Sequence, residues 1–164
     1  MAARIEDAVG ALYSRLQDQI AGINKFARIY VEPNQVQSEQ QPLLILQAVA
    51  YESWLPPTTK QEVIRVTPYI WQLHMAIIIY IKVDEAIDPS TLSPETTLND
   101  FYAQIEDCLK WQSGVDAYDP SNNIRANLGG LVSRVTIEGP SVIMAGAGAQ
   151  QGSLMVPVSL LMPT

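Results

Sequence analysis

WQLHMAIIIYIKV, residues 71–83, is almost wholly apolar, yet it holds a glutamine, a lysine and the chain's one histidine. It is too short to cross a bilayer as a helix, which takes about 20 apolar residues. Its run of isoleucines favours a strand, because β-branched side chains lose rotamer freedom in a helix and pack well on a pleated surface. As a strand it places Trp71, Leu73, Met75, Ile77, Ile79, Ile81 and Val83 on one face, every one apolar. That face is expected to meet helices of the same subunit. Gln72, His74, Ala76, Ile78, Tyr80 and Lys82 share the other face. It is too apolar for water alone and too polar for an ordinary core. A neighbouring subunit or a curl of the same sheet would cover it.

Upstream, Ile5, Ala8, Val9, Leu12, Leu16 and Ile20 recur at helical spacing and form one apolar stripe, with Gly22 and Asn24 as the stop. FARIYV (26–31) reads as a short strand and EPNQVQSEQQ (32–41) as a polar loop. Pro42 leads LLILQAVAYE (43–52), a strand. The proline-rich LPPTTKQ (55–61) connects to EVIRVT (62–67), a further short strand.

Downstream, Ser93 followed by Pro94 is a helix start, cap residue first and proline at the first helical position. Leu98, Phe101, Ile105 and Leu109 make that helix's stripe, running to about Trp111, and Gly114 ends it. LVSRVTIEG (131–139) alternates as a half-buried strand. SLMVPVSLLM (153–162) is the last strand, with Leu154, Val156, Val158, Leu160 and Met162 on one face. Pro157 cannot donate to a ladder, so an edge or bulged strand is expected there. The glycine-rich 139–152 reads as a long hairpin arm. Together these elements predict one α+β domain over 1–164, with a mixed, mainly antiparallel sheet and both helices on one face.

Composition narrows the function. The chain has 164 residues, a net charge of −7 and only 16% charged residues, against about 25% in an average soluble domain. A surface poor in charge suits one largely shared with other subunits. The acidic balance argues against a protein that grips phosphates, though not against one that DNA passes. The first 20 residues lack the basic, apolar and small-residue sections of a signal peptide, so cytoplasmic synthesis is expected.

No constellation of catalytic residues stands out, and neither a cofactor nor a metal is expected. A lone Cys108 excludes an internal disulfide and a multi-thiolate zinc site. His74 reads as structural or interfacial, and Cys108 as a small buried side chain. Asp84, Glu85 and Asp88 read as a solvated turn, and Asp116 and Asp119 as turn residues. Gly146, Gly148 and Gly152 mimic a phosphate loop, but such a loop needs a helix directly after it, and a strand follows here.

The order of elements, with QPLLILQAVAYE (41–52), YIWQLHMAIIIYIKV (69–83) and SPETTLNDFYAQIEDCL (93–109) between an N-terminal amphipathic helix and two final strands, resembles the tail terminator proteins of long-tailed bacteriophages and the related head–tail completion proteins. The resemblance implies a virion protein that is not an enzyme: a subunit of a ring, usually a hexamer. Such a ring caps the tail tube, stops its polymerisation and joins it to the head connector, with DNA passing through the lumen. The loops at 32–41 and 139–152 are long for that family. Interface candidates are Pro33, Asn34, Gln35, Gly146, Gly148, Gln150 and Gln151 in the two loops, with Arg65, Arg125 and Arg134 as cross-subunit ion-pair partners. Another neck component, a tube subunit and a small cytoplasmic ligand-binding domain are the competing readings.

Overall fold

The computed structural model describes residues 2–36, 38–54, 70–82, 94–109, 128, 131–144 and 151–162. Helix α1 (Ala2–Gln19) leads to strand β1 (Lys25–Ala27) and then to β2 (Leu43–Trp54) and β3 (Ile70–Lys82). Helix α2 (Pro94–Leu109) precedes β4 (Arg134–Ile137), β5 (Val142–Met144) and β6 (Gln151–Met162). The fold is α+β, with one mixed sheet in the order β1-β2-β3-β6-β4 and β5 also paired to β6. Among the described strands only the β1–β2 pair is parallel.

Both helices lie on one face of this sheet. The helix stripe of α1 supplies Ala8, Val9, Leu12, Leu16 and Ile20 to the core, and that of α2 supplies Leu98, Phe101, Ile105, Cys108 and Leu109. They meet Leu73, Met75, Ile77, Ile79 and Ile81 of β3 and Leu154, Val156, Val158, Leu160 and Met162 of β6. The pleat puts every second residue on this side, so both expected apolar faces are core faces. Polar contacts align the helices. Gln104 accepts the free Ala21 N–H at 2.7 Å, and Arg15 donates to the Cys108 carbonyl at 2.9 Å, a cation at the negative end of α2. Arg28 pairs with Glu6, fastening the chain beyond β1 to α1.

The strand expected over 26–31 is shorter and earlier, at Lys25–Ala27. Its parallel pairing with Leu43–Ile45 is the reason. Parallel neighbours cannot be joined by a tight hairpin, so the chain leaves the sheet after Ala27 and crosses a face before it returns. The helices occupy one face, and the crossover takes the other. Its Val31 and Val36, with Ala27, pack over Leu43, Ile45, Ala76, Ile78 and Tyr80. That end of the second face of β3 is therefore covered by the subunit's own 27–36, neither by a neighbour nor by a curl of the sheet.

Three further expectations change. β6 is an inner strand, not an edge, with β3 on one side and β4 and β5 on the other, and its pairing with β3 runs unbroken from Trp71–Met162 to Lys82–Gln151. Pro157 is tolerated because its missing N–H faces the gap where the partner changes from β4 to β5. Ile137 pairs with Val158 and Val142 with Met155, leaving Pro157 between them, and its carbonyl still accepts Glu138 N–H at 2.8 Å. The alternation over 131–139 begins only at Arg134, since Leu131 is exposed and Val132 is buried. The base of the expected arm is a strand, with Val142–Met144 paired to Ser153–Met155, and Gln151 is the first residue of β6. The strand expected over 62–67, the Ser93 cap and the arm's tip at 145–150 lie outside the described residues.

Candidate functional site

The uncovered part of the second sheet face, here the outer face, carries the most unusual chemistry. A bulge in β2 creates it. Register with β3 shifts between Ala48 and Ala50, with Val49 the extra residue. Before the bulge, Leu43, Ile45 and Gln47 oppose the outer-face residues Tyr80, Ile78 and Ala76. After it, Ala50 opposes His74 and Glu52 opposes Gln72. One extra residue thus exchanges the two faces of the strand and delivers an acid to the outer face.

His74 sits between two carboxylates from different strands. Its Nε2 lies 2.7 Å from Glu52 Oε1 and its Nδ1 lies 3.0 Å from Glu138 Oε2. An ionised carboxylate only accepts, so both contacts are hydrogen bonds when the ring is an imidazolium. The Glu52 hydrogen bond is the main influence raising the His74 pKa above the usual 6.5, partial burial opposes it, and Glu138 adds to the rise. Gln72 Nε2 donates to Glu138 Oε1 at 2.9 Å and to Ser159 Oγ at 3.0 Å. The result is a polar seam from β2 across β3 to β6 and the end of β4. Glu52 is 61% exposed, so solvent screening holds that pair to about 0–1 kcal/mol. The seam's value is geometric, since it ties Glu138 to the middle of the sheet.

On either side of the seam the surface is apolar. Towards one end is the covered cluster, where Tyr80 donates to the Val31 carbonyl over 3.4 Å. Burial, with Tyr30 close by, raises the Tyr80 pKa to about 12. Beyond β6, Val142 pairs with Met155 and Met144 with Ser153. Val142, Met144 and Met155 are 41%, 62% and 43% exposed. They form an uncovered apolar strip on the same face.

Pro33, Asn34 and Gln35 form an exposed single 3-10 turn, held from beneath by Val31 and Val36. Arg134 is exposed on the outer face of β4, and Gln151 is half-buried opposite Lys82. These residues lie on different elements, the 27–36 crossover, β4 and β6. Arg65, Arg125, Gly146, Gly148 and Gln150 lie outside the described residues, as do Asp84, Glu85, Asp88, Asp116 and Asp119. Cys108 is buried among the helix residues. Among the described residues no group of three or more His, Cys, Asp or Glu is placed to hold a metal ion, and no helix is long and apolar enough to cross a membrane.

Sequence reasoning placed His74 on the outer face but missed both of its partners. Glu52 carried a signal. Unbroken alternation from Leu44, Leu46 and Ala48 would bury that acid under the helices, so a shift of register before it is required. Glu138 gave none, because its approach to His74 spans 64 residues of sequence. Compared with known protein families and with curated proteins, the chain matches none.

Proposed function

We propose that this protein is a structural subunit that closes with copies of itself into a ring, in the manner of a phage tail terminator. One face of the ring caps the tail tube and stops its growth. The other receives the head connector, and DNA passes through the lumen without being gripped. The observation that carries this reading is the strip of Val142, Met144 and Met155, an apolar surface on the outer sheet face of a chain that has few charges elsewhere. Apolar side chains left wet side by side carry a cost, and a subunit interface removes it. The exposed Pro33–Gln35 turn and residues 145–150 are the segments we assign to contacts with adjacent rings. A net charge of −7 keeps a lumen from holding phosphates.

Negative-stain imaging of the purified protein tests the proposal. Closed rings of a single height are expected. Tubes of indefinite length would make the protein a tube subunit, and a field of separate small particles at high concentration would overturn the ring.

A further inference from the structure

The polar seam has a property that neither packing nor assembly requires. A neutral imidazole has one N–H, whereas His74 faces an acceptor at each ring nitrogen. Both arms can hold only while the ring carries both protons. On losing one, the ring keeps a single donor and turns a lone pair towards a carboxylate.

The two arms are not equivalent. Nε2 has the shorter contact, 2.7 Å to Glu52 against 3.0 Å to Glu138, so the remaining proton stays on Nε2 and the Glu138 arm opens. Glu138 occupies a sensitive place. Its N–H makes the bond to Pro157 at the end of the β4 ladder. Gly139 follows with φ +62, a left-handed conformation that other residues rarely adopt. There the chain leaves β4 and prepares to pair again as β5. Glu138 is thus the last tether before a turn with no proline N–H to hold it.

We propose that His74 is a proton-operated clasp: doubly protonated, it joins Gln72 in tying Glu138 and the corner between β4 and β5 to the centre of the sheet, and loss of one proton leaves Gln72 alone to hold that corner, which loosens it and the apolar strand β5 beyond it. Among the described residues, the groups that face the ring are few. From β2 comes Glu52 and from the end of β4 comes Glu138. β3 contributes Gln72, and β6 the uncharged Ser159, the register partner of His74. Arg134 lies on the same face of β4, opposite Leu161, and is exposed. Tyr30 and Glu32 influence Tyr80 at the other end of β3. Two carboxylates against one more distant cation favour the protonated ring. The direction of the pKa shift agrees. A raised value means that the clasp's contribution is complete below 6.5 and is lost as the pH climbs through the folded-state value.

Because the chain has one histidine, its ring resonances need no assignment by mutation. A pH titration of the full chain by NMR should give a midpoint above 6.5, lowered in both Glu52→Gln and Glu138→Gln. The nitrogen shifts above the midpoint should report the Nε2–H tautomer. Hydrogen exchange at the amides of 138–144, corrected for base catalysis, should quicken several-fold across the midpoint. In His74→Leu it should be quick at every pH. A midpoint at or below 6.5, an Nδ1–H tautomer, or protection at 138–144 that ignores the midpoint would each overturn the clasp. None of these readouts depends on ring formation, so the clasp and the assembly proposal fail separately.

Discussion

The two faces of β3 are adjacent in sequence and opposite in construction. The helix-side face is one continuous apolar layer, closed by two amphipathic helices whose stripes pack against it. The outer face is assembled from three unlike pieces: a small apolar cluster under the irregular crossover 27–36, a charged seam around His74, and an open apolar strip at β5 and β6. Two helices cover most of the first face, so its packing is regular. The second depends on a crossover, on protons and on an exposed apolar edge. Stability resides on the first face, and the features that suit interaction lie on the second.

Neighbouring residues test that division most strongly. Ile77 is fully buried against the helices, and Ile78 is buried under the crossover. Ile77→Ala should cost about 4 kcal/mol and Ile78→Ala about 2 kcal/mol, because an irregular cover relaxes into the cavity more readily than two packed helices do. Urea denaturation of both variants measures the gap. Equal losses would mean that the outer cluster is as firmly packed as the core.

A smaller effect comes from Tyr80. Its folded-state pKa is raised from the usual 10.0 to about 12. The folded chain therefore holds this proton after the unfolded chain has released it, and stability falls as the pH rises from 10 towards 12. Tyr80→Phe should flatten that alkaline decline, while at pH 8 the loss of one long hydrogen bond costs about 0.5 kcal/mol. Identical alkaline slopes in the two proteins would show that the crossover does not keep Tyr80 dry.

The smallest effect on folding belongs to the open strip. Val142→Ser with Met155→Ser should change the unfolding free energy by no more than about 0.5 kcal/mol per site, as exposed substitutions do. A large loss would mean that the strip belongs to the subunit's own core and is not available to a partner.

Legibility in the sequence followed the same division. The helix-side face could be read because its rule is local: period two in β3 and β6, and helical spacing in α1 and α2. Pro157 was misjudged because the missing donor matters only on one side of a strand, and which side faces a gap depends on where β4 hands over to β5. The crossover over Ile78 and Tyr80 escaped because Val31 read as the end of a strand and the polar composition of 32–41 concealed Val36; the two tuck inwards from either side of an exposed turn. The seam escaped because it needs both the Val49 bulge and a contact distant in sequence. The interface candidates chosen from the sequence rested on loop chemistry at 33–35 and 146–151 and on charge at Arg65, Arg125 and Arg134. The structure adds Val142 and Met144, which read as part of the arm, and Met155, which read simply as strand.

The central claim is that the outer face is completed by other copies of the chain. Sedimentation velocity over a wide range of concentration tests it most directly. The account predicts one closed oligomer, a fixed multiple of 18.1 kDa, that the Val142→Ser, Met155→Ser double variant breaks into folded subunits. A monomer at every concentration, or an oligomer indifferent to that variant, would contradict it.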